Sequence, residues 1–182
     1  MTEIRVTEKR VTEKHVTEKL TEQQKKEADR TPAASRSTAQ RGTEDIMQAV
    51  VRRFALPAQD LRGYSPQTLA YIGDAVYEIA VRSLLVAGGN APVNKLHRKA
   101  SRLSRAERQS EIVRAVKKDL TEEEHAVYRR GRNAKPYTKA KHASSADYNR
   151  ATGLEAVIGY LYLKGEDERI AELIRMGIER TK

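Results

Sequence analysis

The sequence predicts an all-α domain over residues 44–182, preceded by a low-complexity tail over residues 1–43. Three observations carry that prediction. From residue 44 onward, apolar residues recur at three- and four-residue spacing, the period of a helix face. Cap residues and turn residues punctuate the chain at intervals that suit helices. No segment shows the apolar–polar alternation of a strand.

The tail opens with a five-residue repeat, TEIRV, TEKRV, TEKHV, TEKLT, which places Val6, Val11 and Val16 five positions apart. On a helix each valine is rotated by about 140° from the last, so no apolar stripe forms. On a strand an odd period changes face at every step, so no sheet face forms either. Residues 31–41 add Pro, Ser and Ala with nothing to bury. The expectation is a disordered or transiently helical tail with a net charge of +3.

The folded part reads as a series of helices. Ile46, Met47, Val50, Val51 and Phe54 keep helical spacing until Leu56-Pro57 stops them. Ser65-Pro66 is a cap followed by a helix-starting proline, opening a long helix to Ala87. Gly88-Gly89-Asn90 is a turn. Residues 92–118 read as one basic helix with Leu96, Ala100, Leu103, Ala106, Ser110 and Val113 on its inner face. Thr121 and Glu124 form a capping box, and their helix ends at Gly131. Residues 132–147 are polar and irregular. Two more helices follow, over 147–163 and 167–180.

Composition limits the function. The chain has 35 Lys+Arg against 25 Asp+Glu, a net charge of +10, which points to a polyanionic partner. The absence of cysteine removes disulfides, thiolate zinc sites and thiol nucleophiles. No signal peptide or membrane span is legible, so a soluble, cytoplasmic protein is expected. His15, His97, His125 and His142 lack metal-ligand spacing, Gly88-Gly89 lacks the frame of a phosphate loop, and no Ser-His-Asp arrangement can be argued. The basic residues are concentrated: residues 94–118 net +7 and residues 128–150 net +6.

Two carboxylates stand out. The 65–87 helix is apolar around most of its circumference, with Leu69, Ile72, Val76 and Ile79 as its stripe, yet it carries Asp74 at its middle. The last helix but one carries Glu155 as the only charge between Arg150 and Lys164, beside the stripe Leu154, Val157, Ile158 and Leu161. Each helix is expected to be buried, and a lone buried carboxylate is costly. Either the two acids share a cation, or each pairs with an arginine or caps a loop.

Here the residues resemble a known family. Leu69-Ala70-Tyr71-Ile72-Gly73-Asp74-Ala75-Val76-Tyr77-Glu78 resembles the signature helix of the ribonuclease III family. Residues 153–163, GLEAVIGYLYL, resemble that family's second acidic helix, and Arg130-Gly131-Arg132-Asn133-Ala134-Lys135 resembles a stretch typical of its shorter subgroup, the Mini-ribonucleases III. The resemblance implies a dimeric, all-α endonuclease that cuts both strands of double-stranded RNA with Mg²⁺, with ribosomal RNA precursor as substrate. It puts Asp74 and Glu155 on the catalytic, metal-binding positions. Glu78, one turn after Asp74, is read as a surface carboxylate. Larger members carry further acids where this chain has Gln67, Ala70 and Thr152, so weaker metal affinity is expected.

Full-length members also append a double-stranded RNA-binding domain, for which the 27 residues after Glu155 are too few. The catalytic domain is therefore expected to grip RNA itself, through Arg130, Arg132, Asn133, Lys135, Lys139 and Lys141 in the basic segment leading to Glu155. The competing reading is a non-catalytic RNA-binding module on the same helical fold.

Overall fold

In the computed structural model, residues 46–57, 60–135 and 144–182 are described. The tail over 1–43 lies outside them. Among the described residues there are seven α-helices and no strand: α1 Ile46–Arg53, α2 Pro66–Ala87, α3 Val93–Ser104, α4 Ala106–Val116, α5 Glu122–Arg132, α6 Ser145–Lys164 and α7 Asp167–Glu179. Short 3-10 turns at Leu61–Gly63 and Lys117–Asp119 precede α2 and follow α4. No helix among the described residues is long and apolar enough to cross a membrane.

The capping signals operate as the sequence reads. Ser65 Oγ accepts from the Thr68 amide at 3.1 Å, with Pro66 opening α2. Thr121 Oγ1 accepts from the Glu124 amide and Glu124 returns the bond to the Thr121 amide, at 3.2 and 2.8 Å. Helix α6 starts at Ser145, two residues before the expected 147, because Ser144 Oγ caps the Asp147 amide. It ends where Gly165 takes a left-handed conformation.

Helix α6 is the axis of the domain and packs against α2, α4, α5 and α7. Its Leu154, Val157, Ile158 and Leu161 are all buried, as the stripe requires. The long helix α2 differs from expectation. Its buried face is Leu69, Ala70, Gly73, Tyr77 and Val81, while Ile79 is 62% exposed. The reason lies in Gly73, which apolar periodicity does not weigh. A Cβ on Gly73 would lie 1.8 Å from the Glu155 carbonyl oxygen, and one on Gly159 would lie 2.0 Å from that of Leu69. The two helices cross backbone to backbone, and that crossing sets which face of α2 turns inward.

The expected single helix over 92–118 is two. The chain is extended at Arg105 (φ −68°, ψ 146°), so α3 covers α2 while α4 turns to pack on α6 and α7. The carbonyls freed by the break find partners: Tyr77 Oη donates to Leu103 O at 2.9 Å and Gln109 Nε2 to Ser104 O at 3.2 Å. At the other end of α4, Arg169 forks onto the buried Glu124 at 2.9 and 3.0 Å and also reaches Asp119 O. Helix α1 buries none of its residues, leaving Ile46 and Val50 exposed, as is Phe54 just after it.

The close crossing generates a test. Gly159→Ala should lower the free energy of unfolding by about 3 kcal/mol, because the new methyl meets backbone that has no rotamer to yield. A urea midpoint within error of the wild type would contradict the crossing geometry.

Candidate active site

The crossing of α2 and α6 places Asp74 and Glu155 side by side. Asp74 follows the glycine that touches the Glu155 carbonyl, and both acids open onto one cavity of about 600 Å³. Glu155 is partly buried, whereas Asp74, which the sequence suggests is buried, is exposed because its side of α2 faces away from the core; both lack a counter-charge among the described residues. Burial and the nearby Asp74 push the Glu155 carboxyl up to about 7, against the opposing pull of the Gln109 amide. Desolvation, then Glu78, lift the Asp74 carboxyl above its ordinary value. Among the described residues neither acid forms an ion pair. Arg82, the cation nearest Asp74 along α2, is paired with Glu78. That pairing leaves Glu78 on the surface, as the sequence suggests.

Gln67, Ala70 and Thr152 all line this same cavity and bring no further carboxylate to it. Among the described residues no group of three or more His, Cys, Asp or Glu side chains converges. The donor set is thus two carboxylates with open space beside them. It fits Mg²⁺, which takes one or two carboxylates and completes its shell with water and substrate phosphate oxygens. It does not suit a softer ion that needs sulfur or imidazole.

Glu155 has a polar neighbour that the sequence did not signal. Gln109 is 1% exposed and its Oε1 has no hydrogen-bond partner among the described residues. In the linear pattern it is one polar residue of a basic helix, and only the break at Arg105 turns it inward. Tyr77, buried below the acids, has its hydroxyl pushed upward in pKa by burial, with Glu155 contributing.

The basic residues separate into distinct places. Arg130 is exposed on α5, Arg132 lies 6.0 Å over the Tyr128 ring, and Asn133 closes α5 as its C-cap while its side chain accepts from Arg132 Nε at 3.2 Å. Lys135 reaches the cavity of the acids. Lys139 and Lys141 lie outside the described residues. A second glycine contact holds this end of α5 in place: a Cβ on Gly131 would lie 3.0 Å from the Gly153 Cα and from the Thr152 carbonyl oxygen. At the start of α6, Asp147 accepts from Ser144 at 2.6 Å, from Ser110 at 2.8 Å and from Arg150 at 3.1 Å, and these neighbours, Ser144 first, hold its carboxyl below the usual range.

Comparison with known proteins adds to this geometry. Residues 67–166 match the Ribonuclease III domain. The chain is 50% identical over 121 residues to the Mini-ribonuclease 3 of Clostridium tetani, covering 66% of this chain and 80% of that one. It is 48% identical to the Mini-ribonuclease 3 of Symbiobacterium thermophilum, covering 60% and 85%. A crystal structure of a Fusobacterium nucleatum protein superposes with a TM-score of 0.60 at 31% identity, covering 67% of this chain and 98% of that one.

The burial of Glu155, with the like charge of Asp74 beside it, predicts a pH signature. A carboxyl with its folded pKa raised favours the folded state when protonated, and that contribution fades as pH rises from about 4.5 through about 7. In buffer free of divalent ions, Glu155→Gln should therefore melt higher than wild type at pH 8, with the gain shrinking toward pH 4.5. Equal melting temperatures across that range would show that neither burial nor Asp74 strains the Glu155 carboxylate.

Proposed function

The chain belongs to the ribonuclease III family and is an endoribonuclease of that type, and from that premise we propose that it hydrolyses both strands of double-stranded RNA with Mg²⁺, as a homodimer. The observation that carries the proposal is the convergence of Asp74 and Glu155, without counter-ions among the described residues, on one open cavity. Family membership sets aside the competing reading of a non-catalytic RNA-binding module.

Asp74 and Glu155 would hold the ion between α2 and α6. The ion supplies the charge that activates a water for in-line attack on a phosphodiester and stabilises the leaving oxygen. The protein's part is positioning. The Gly73–Gly159 crossing keeps the carboxylates adjacent, and α4 keeps Gln109 against Glu155. Arg130 and Arg132 at the end of α5, with Lys135, Lys139 and Lys141 further along the sequence, supply positive charge for the RNA backbone, and Asn133 supplies a neutral amide for hydrogen bonding. A-form duplexes are read through phosphates, 2′-hydroxyls and shape, which such a segment suits.

The dimer reading rests on α2. Tyr71, at the lip of the cavity of the acids, is 82% exposed, and Ile79, about two turns further along α2, is 62% exposed. A second copy covering this strip would bring two acid pairs together about a two-fold axis, the symmetry that relates the two strands of a duplex. The proposed cellular substrate is ribosomal RNA precursor, in the cytoplasm, with 23S rRNA as the product matured. Support for these finer points comes from the sequence resemblance.

Two outcomes are expected. Asp74→Asn and Glu155→Gln should each reduce cleavage of a labelled duplex by at least about 1,000-fold while leaving it bound, and chelation of Mg²⁺ should do the same to wild type reversibly. Cleavage that survives either substitution would rule out the paired-acid site. Tyr71→Asp should convert the dimer to a monomer by light scattering, and an unchanged mass would place the interface elsewhere.

A further inference from the structure

The cavity that holds the two acids contains a third charge. Of the described residues lining it, Asp74, Glu155 and Lys135 are the charged ones. Lys135 forms no ion pair among the described residues, whereas Lys164, Arg169 and Arg180 are each engaged by carboxylates. It sits two residues past the C-cap Asn133, on a segment whose course is fixed from below. The Ala134 amide closes onto the Gly131 carbonyl at 3.1 Å, and Gly131 is pressed against Gly153 and Thr152 of α6, one turn before Glu155. Arg130 and Arg132, on the same end of α5, do not line the cavity. Lys135 is thereby distinguished from the other basic residues of this segment.

The charge balance of the site gives that lysine a task. In-line hydrolysis forms a bond from a water oxygen to phosphorus and breaks the bond from phosphorus to a ribose oxygen. The attacking water gives one proton to solvent and the departing ribose oxygen takes one, so atoms and charge balance. In between, the phosphoryl oxygens and the leaving oxygen carry additional negative charge. Beside Asp74 and Glu155 this cavity has Gln67, Ala70 and Thr152, which bring no charge. With two acids to gather cations, an ammonium at the cavity wall can supply part of the positive charge.

We infer that Lys135 is a catalytic residue: its ammonium contacts the scissile phosphate and stabilises the charge that develops there, while staying protonated throughout. This inference rests on the proposed hydrolysis at Asp74 and Glu155. It assigns Lys135 to the chemical step, and not merely to the grip on the duplex.

The test is single-turnover cleavage of a labelled RNA duplex by the full chain, with protein raised to saturation. Lys135→Met should lower the saturated rate by about 100-fold or more, the usual loss for one charge-stabilising donor. Lys135→Arg, which keeps the charge, should recover part of that rate. Magnesium affinity, read from the ion's effect on melting temperature without RNA, should be unchanged or tighter in Lys135→Met, since a cation beside the acids has been removed. The inference is overturned if Lys135→Met reaches the wild-type rate once protein saturates the duplex, for then the lysine serves affinity alone. It is also overturned if magnesium affinity falls, for then the lysine builds the metal site. Failure of wild type to cut any duplex would instead sink the hydrolytic reading on which the inference stands.

Discussion

The close crossing of α2 and α6 is the constraint from which the rest of the domain follows. Gly73 and Gly159 let two backbones meet where any side chain would collide with a carbonyl. Once the helices touch there, Leu69, Tyr77 and Val81 turn inward and Tyr71 and Ile79 turn out. Asp74, next to the contact glycine, is then carried to the mouth of the cavity that Glu155 also faces. The same step in the chain that makes the helices pack also brings the acids together.

That proximity is unfavourable for the isolated protein. Glu155 has little water around it and a like charge beside it, and its carboxyl is held as high as about 7. The surrounding fold supplies the energy that keeps the pair in place: large fully buried side chains such as Tyr77, Leu154, Ile158 and Leu173, each contributing roughly 1.5–3 kcal/mol. Burial and the neighbouring charge make the ionised Glu155 unfavourable, a cost that a bound cation would relieve and that would tie the fold's stability to the occupancy of its site. Lys135 at the rim offers one positive charge from the chain itself, and a divalent ion would offer the rest.

Structural ion pairs stand apart from this cavity. Arg169 secures Glu124 and Asp119 O, and Arg180 secures Asp119, so α7 clamps the corner between α4 and α5. Asp147 draws in Ser110, Ser144 and Arg150 at the start of α6. These carboxylates are satisfied and their pKa values are lowered, whereas those of Asp74 and Glu155 are raised. The contrast separates acids that hold the fold from acids left open to a ligand.

Much of this was legible along the chain. Local rules suffice for caps and stops, so Ser65-Pro66, the Thr121–Glu124 capping box and the stripe of α6 were all readable as sequence. The two carboxylates also stood out, because a charge in the middle of an apolar helix is anomalous whatever surrounds it. What the tertiary structure decided is whatever depends on who packs against whom. The inward face of α2 follows from backbone contact at Gly73 and not from its most apolar stripe. The break at Arg105 exists because α3 and α4 must cover different helices, and it alone turns Gln109 beneath the acids. The distinction between Lys135 and its basic neighbours likewise required the cavity, since charge along a sequence carries no direction until the helix bearing it is fixed against another.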